Sequence, residues 1–232
     1  MNIALITAAG VGSRTKQFIP KQFLSVCDKP ILVYTLQKFQ ENENIDKIAV
    51  VCLKGWEEYL KACSKQFGIS KLEYIFAGGE TGFDSISNGI FGLKKELSPD
   101  DIILIHDGNR PGVSNKIIDE CISNTKNNGI SITEIPCTEV VFDIEKDIQK
   151  PATLNRDFLY RTQTPHGIIY KDCLELYSKA NEENLQNVVA LCSLAAYYNK
   201  PLFFNEGSEK NFKITTKEDI DMFKGLLTIK EI

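Results

Sequence analysis

Ile3-Ala4-Leu5-Ile6-Thr7-Ala8-Ala9-Gly10-Val11-Gly12-Ser13-Arg14 opens the chain with an apolar strand that runs directly into a glycine turn, and Pro20-Lys21-Gln22 follows shortly after. Ala8, Ala9, Gly10 and Gly12 carry too little side chain to keep phosphates or a base away from backbone N–H groups. Arg14 and Lys21 supply cationic donors suited to phosphate oxygens. Together they read as a cradle for a nucleoside triphosphate, although an ordinary glycine-containing loop between strand and helix has the same local pattern. Two standard phosphate motifs are absent: G-x-x-x-x-G-K-[ST], and a third glycine after Gly10 and Gly12.

Outward from this stretch, apolar β-type runs alternate with helical patterns. Ile3 to Thr7 is followed by a helix opening near Pro30, Lys47 to Cys52 by Trp56 to Phe67, Leu72 to Ala77 by Asp84 to Lys95, and Ile102 to His106 by Asn115 to Asn127. That rhythm predicts an α/β, three-layer Rossmann-like fold with a mainly parallel sheet. Ligands in such sheets sit at the C-terminal strand ends, where loops 8–22, 78–84 and 107–112 converge. After Gly129 the rhythm falters. Ile130 to Cys137 reads as a strand, Thr138 to Pro151 as a polar protruding hairpin, and Asp172 to Tyr197 as helical. A short strand follows near Leu202 to Phe204, then Lys213-Ile214-Thr215; Thr215 and Glu218 have capping-box spacing for a final helix through Leu227.

Composition sets the class. The 232 residues, 43% hydrophobic and 25% charged, fit one domain with its own core. Seven cysteines without metal-ligand spacing read as reduced core thiols in a cytoplasmic protein. Met1-Asn2-Ile3-Ala4-Leu5 runs straight into a strand and leaves no room for a signal peptide, and no apolar run is long enough for a membrane span. A net charge of −4 argues against general nucleic-acid binding, so an anionic ligand needs local cations.

Asp107 ends the buried-looking strand Ile102-Ile103-Leu104-Ile105-His106, where an acid has no packing purpose; it caps the next turn or serves a ligand. His106 reads as a strand-end side chain bonded to backbone. Gly78-Gly79 is a strand-to-helix turn or part of a base pocket.

Several segments now line up: Ala8 to Arg14 with Pro20-Lys21-Gln22; Gly78-Gly79-Glu80 with Ser85; His106-Asp107-Gly108-Asn109-Arg110-Pro111; Asn155-Arg156-Asp157 with Gln163-Thr164-Pro165; and Asn211-Phe212-Lys213-Ile214-Thr215. Over nearly its whole length the chain resembles the cytidylyltransferases of the methylerythritol-phosphate and ribitol-phosphate type. The resemblance implies attack of a substrate phosphate oxygen on the α-phosphorus of CTP, with pyrophosphate leaving and a CDP-alcohol forming. It implies Arg14, Lys21 and Lys213 as catalytic cations, and Ala8, Ala9, Gly10, Gly12, Gly79, Glu80 and Ser85 around the nucleotide. Asp107, Arg110, Glu139, Val140, Arg156 and Thr164 fall to the acceptor, with Asp107 also a ligand for Mg²⁺. Segment 138–153 becomes an arm that crosses to a second subunit of a homodimer.

The departures cluster on the acceptor side. Glu139 and Val140 stand where the methylerythritol-phosphate enzymes show aspartate and threonine. Val188-Val189-Ala190 replaces a Thr or Ser followed by acids, Gly82 replaces an arginine, Gly108-Asn109 replaces two small residues, and His166, beside a Gln163-Thr164-Pro165 turn, replaces a glutamine as a pocket-wall variant. Ribitol 5-phosphate is the first expectation for the acceptor, from Lys29-Pro30-Ile31-Leu32 and Asn199-Lys200-Pro201, and methylerythritol phosphate the second. A catalytically silent nucleotide-binding protein is a third reading. A glycosyltransferase is disfavoured, because the one Asp-x-Asp, Asp219-Ile220-Asp221, lies inside a helical pattern.

Overall fold

The computed structural model describes residues 1–10, 19–185, 188 and 190–231. Gly12, Arg14 and Val189, named above, lie outside the described residues. Strands β1 (Asn2–Ala8), β4 (Lys47–Cys52), β5 (Leu72–Ala77), β6 (Ile102–Asp107), β7 (Ile130–Pro136), β10 (Tyr160–Ile169) and β11 (Phe203–Glu206) form one seven-stranded sheet, in the order β11-β7-β10-β6-β1-β4-β5. All pairings are parallel except those of β10, which runs antiparallel to both β6 and β7. Two short hairpins, β2 (Ser25–Val26) with β3 (Lys29–Pro30) and β8 (Phe142–Asp143) with β9 (Ala152–Thr153), stand outside the sheet.

Helices cover both faces. On one face α1 (Ile31–Glu41) and α4 (Asn115–Asn128) bury Leu32, Leu36 and Phe39, and Ile117, Ile118 and Cys121, against Ala4, Ile6, Ile48 and Leu104. Leu32, Leu36 and Phe39, and Cys121 relative to Ile117 and Ile118, lie three or four residues apart, which puts them on one stripe of each helix. On the other face α3 (Gly82–Gly92), α5 (Tyr170–Glu182) and α6 (Leu191–Tyr197) pack Ile86, Tyr177 and Leu194 over Leu5, Ile105 and Ile132. α2 (Glu57–Gln66) flanks β5, and α7 (Lys217–Thr228) docks Phe223 edge-on to Tyr34.

Three expectations change in detail. The helical stretch Asp172 to Tyr197 divides into two helices, α5 and α6. Gln163-Thr164-Pro165 is not a turn but the middle of β10, which accommodates it with a register shift between Thr162 and His166; proline and polar residues masked a strand that tertiary pairing enforces. The final helix starts one residue later than Thr215 and Glu218 suggest. Thr216 is its N-cap and Asp219 completes the capping box, while Asp219 also accepts from the N–H and hydroxyl of Thr215. Adjacent Thr-Thr and Glu-Asp pairs satisfy the spacing in two registers, and the sequence alone cannot choose.

Candidate active site

A cavity of about 530 Å³ opens over the C-terminal ends of β1 and β6. It is lined by Ala8, Ala9, Gly10 and Lys21 from the first loop, Gly79 to Gly82 and Ser85 from the loop into α3, Asp107, Asn109 and Arg110 after β6, Thr164 and His166 of β10, and Lys213. Loops far apart in the chain therefore converge where a parallel sheet places its ligands.

The nucleotide side is held open by small residues. A Cβ on Gly78 would lie 2.4 Å from that of Ala9, and one on Gly79 would lie 2.3 Å from the Cβ of Asp84. Both glycines are thus required by close approach of the first loop and of α3, beyond forming a turn. Gly79 N–H donates to Ser85 Oγ at 3.0 Å, and that hydroxyl donates to Thr81 carbonyl at 2.9 Å. Ser85 shapes the loop, and its proton is already committed. Thr81 caps α3 reciprocally with Asp84, leaving the positive end of the helix at the cavity rim. Gln22, which the sequence offered without a role, is buried and donates from Nε2 to the carbonyls of Ala8 at 2.8 Å and Gly10 at 3.0 Å. It ties the first loop to the segment that carries Lys21.

The charged side is a linked cluster. Asp107 accepts from Arg110 Nε at 2.9 Å and from Lys213 Nζ at 2.8 Å. Burial pushes its carboxyl up, but Lys213 and Arg110 outweigh burial and hold it well below the usual carboxylate range. Arg110 Nη1 also donates to Asn211 carbonyl at 2.8 Å. Asn109 Nδ2 donates to Ile214 carbonyl at 2.5 Å, and Ile214 N–H returns to Asn109 carbonyl at 2.9 Å. Ile214 is buried beside Val26, Ile31 and Phe223. Lys213 is therefore aimed by a backbone clamp on one side and a hydrophobic anchor on the other. No sequence signal marked Asn109 as the clamp; it stood out only as a departure from a small residue.

Behind the cluster lies His106, fully buried, with Nε2 3.1 Å from Arg110 carbonyl and Nδ1 3.0 Å from Thr164 Oγ1. A carbonyl only accepts, so Nε2 carries the proton and Nδ1 accepts from the Thr164 hydroxyl, whose oxygen in turn accepts from Asp107 N–H at 3.0 Å. Burial pushes the His106 pKa down to about 3. A neutral histidine so placed ties β6 to β10 and holds Asp107 and Arg110 in register, as the backbone-bonded reading expected.

Of the residues expected at the acceptor, Asp107, Arg110 and Thr164 line the cavity. Glu139, Val140 and Arg156 do not: they are exposed on and beside the arm, with Arg156 Nη1 bonded to Thr138 carbonyl at 2.9 Å. Asp107 and Glu80 are the cavity's carboxylates, and among the described residues no three His, Cys, Asp or Glu side chains come together to hold a metal. Both Asp107 oxygens are engaged by cations, one by Arg110 and the other by Lys213.

Small-residue loops and a helix N-terminus on one side of a cavity, and permanent cations around an ionised carboxylate on the other, are what a Rossmann-like α/β nucleotidyltransferase needs to seat a triphosphate beside a second anion. The model of the family described as "IspD: 2-C-methyl-D-erythritol 4-phosphate cytidylyltransferase" matches residues 2–228, and the chain belongs to that family. A ribitol-5-phosphate cytidylyltransferase of Vibrio parahaemolyticus is 35% identical over 232 residues, 100% of this chain and 98% of the relative. A 2-C-methyl-D-erythritol 4-phosphate cytidylyltransferase of Clostridium novyi is 35% identical over 227 residues, 97% of this chain and 96% of the relative. The crystal structure of the 4-diphosphocytidyl-2C-methyl-D-erythritol synthase of Anaerococcus prevotii matches with a TM-score of 0.82 at 28% identity, covering 98% of this chain and 96% of that one.

Proposed function

We propose that the protein transfers a cytidylyl group from CTP to a phosphorylated polyol, with ribitol 5-phosphate as the acceptor. The observation that carries the transfer is the Asp107–Arg110–Lys213 cluster facing the glycine-lined loops across one cavity. Full-length alignment with the Vibrio relative supports ribitol 5-phosphate. Methylerythritol 4-phosphate is the second reading, favoured by relatives that match at the same identity.

In the reaction an acceptor phosphate oxygen bonds to the α-phosphorus while the bond from that phosphorus to the bridging oxygen of pyrophosphate breaks. The attacking phosphate already carries negative charge at neutral pH, so no general base is needed. The barrier is the approach of two anions, and preorganised cations lower it. Lys213, steadied by Asp107 and the Asn109 clamp, meets the α-phosphate and its attacker. Lys21, at the mouth of the first loop, meets the triphosphate, and Arg14 is proposed to share that role. Asp107 serves to hold Lys213 and Arg110, and the small residues Ala8, Ala9 and Gly79 admit a pyrimidine. Mg²⁺ is proposed to enter as part of the substrate, carried on the triphosphate oxygens.

Val140, Phe142, Ile144 and Phe158 are 63%, 55%, 53% and 81% exposed around the arm. Apolar side chains on a protruding hairpin favour association, and a homodimer in which the arm crosses would take Glu139, Val140 and Arg156 to the partner's cavity. Free thiols, six of the seven buried, suit the reducing cytoplasm; no helix among the described residues is long and apolar enough to cross a membrane. The test is pyrophosphate release from CTP and Mg²⁺ with a panel of polyol phosphates. Release with ribitol 5-phosphate is expected; CTP binding without release from any acceptor would support the silent reading instead.

A further inference from the structure

The cavity floor holds one polar group that none of the roles above uses. His166 lies on β10 directly opposite Ile105 of β6 and Ile132 of β7. Residues paired in this way share a face of the sheet, and both isoleucines belong to the core beneath α3, α5 and α6. The ring is thus set in an apolar floor, with Ile86 and Leu191 as further walls of the same cavity. His166 is 3% exposed, and its Nε2 has no hydrogen-bond partner. Buried polar atoms are almost always bonded, so an orphan at a cavity wall marks a missing ligand atom.

The chemistry of that atom follows from the ring's state. Burial pushes the His166 pKa down to about 4, while the charge of Asp107 and a backbone hydrogen bond at Gln163 pull the other way. The imidazole is neutral at pH 7, with one N–H and one lone pair. A backbone bond that favours the protonated ring is one to a carbonyl, which takes the N–H and leaves Nε2 as a lone-pair acceptor. Its ligand atom is therefore a hydrogen-bond donor. The phosphate ends of both substrates are excluded, since they only accept.

We propose that His166 is a specificity-determining residue whose Nε2 accepts a hydrogen bond from a hydroxyl of the acceptor polyol. This rests on the cytidylyl-transfer reading and deepens it. Ile86, Ile105 and Leu191 add apolar surface to the same cavity, so the floor favours a chain that offers a hydroxyl at this depth with C–H surface around it.

His166→Phe keeps an aromatic ring and removes the acceptor atom; His166→Gln restores an acceptor oxygen on a different reach. For ribitol 5-phosphate, His166→Phe is expected to lower kcat/KM by about tenfold or more, mainly through KM, because a site built for a hydroxyl discriminates strongly. CTP affinity by calorimetry stays at the wild-type value. His166→Gln recovers part of the loss and alters the ratio of kcat/KM between ribitol 5-phosphate and methylerythritol 4-phosphate, a change that a merely structural role does not produce. Acceptor kinetics of His166→Phe equal to wild type, or a loss that falls on CTP binding instead, overturn the proposal. The chain has only two histidines, so nitrogen NMR of the wild-type imidazoles supplies a measurement free of any folding defect. Adding ribitol 5-phosphate to the complex with α,β-methylene-CTP is expected to shift the unprotonated nitrogen of His166 and leave that of His106 in place; an unmoved signal refutes the contact. Wild-type protein that releases no pyrophosphate with any panel member overturns the transfer reading itself, a result separate from active wild type with an indifferent His166→Phe.

Discussion

Acidification tests the burial of both histidines in one experiment. In the folded protein His106 and His166 are neutral, with pKa values pushed down to about 3 and about 4. In the unfolded chain each titrates near about 6.5. Between those limits the unfolded state binds two more protons than the folded one, so stability is intact above the unfolded pKa and is lost as pH falls below it. The slope is about 2.7 kcal/mol per pH unit for two groups, and from pH ~7.5 to ~5 the loss sums to roughly 4 kcal/mol. That is a large fraction of the ~5–15 kcal/mol a domain typically has. Asp107 has its pKa lowered in the folded state, so its contribution is constant across this window and fades only in stronger acid. The assay is urea unfolding followed by the single tryptophan, Trp56, which stacks on Phe23 with ring centroids 4.6 Å apart. His166→Gln is expected to halve the slope by removing one of the two protons. A stability that is flat between pH ~6.5 and ~5, or a slope that His166→Gln leaves unchanged, would refute the reasoning.

Lys21→Ala and Lys213→Ala are each expected to cut kcat by about 100-fold or more, since each opposes charge that develops in the transition state; folded variants with near-normal turnover in pyrophosphate release would remove them from the mechanism. Asn109→Ala deletes the donor to Ile214 carbonyl and frees the segment that carries Lys213, so kcat should fall by about tenfold with CTP affinity kept, the cost of one unmade buried hydrogen bond being ~1–3 kcal/mol. CTP with Mg²⁺ should raise the melting temperature more than ATP or GTP, with about 2.7 kcal/mol of stabilisation at a hundredfold excess over Kd; equal shifts would mean that the loops at 8–10 and 79–85 do not select cytosine. Light scattering at micromolar concentration is expected to give twice the 26.1 kDa chain mass, and a monomer would leave the exposed arm without the proposed role.

Local pattern was enough to place most of the frame. Ile3 to Thr7, Lys47 to Cys52 and Leu72 to Ala77 are strands because short runs rich in apolar, β-branched and aromatic residues, bounded by turn residues, have few other stable fates, and the helices between them carry their stripes in plain view. The glycines at 78 and 79 were legible for a similar reason, since residue type itself limits what each can do, whereas Lys213 entered only through the family resemblance. Tertiary structure decided everything that depends on a partner distant in the chain. β10 is a strand because β6 and β7 leave a slot that must be filled, whatever Gln163-Thr164-Pro165 prefers locally. Asp107 became a partner of Lys213, 106 residues away, because the fold brings both of its oxygens against cations. Asn109 and Gln22 acquired roles only when folding supplied the carbonyls they bond. His166 looked like a simple substitution until the sheet set it between two isoleucines with one nitrogen unpaired. Periodicity and residue chemistry are properties of neighbours in sequence; hydrogen-bond satisfaction, burial and the pKa values they produce belong to neighbours in space.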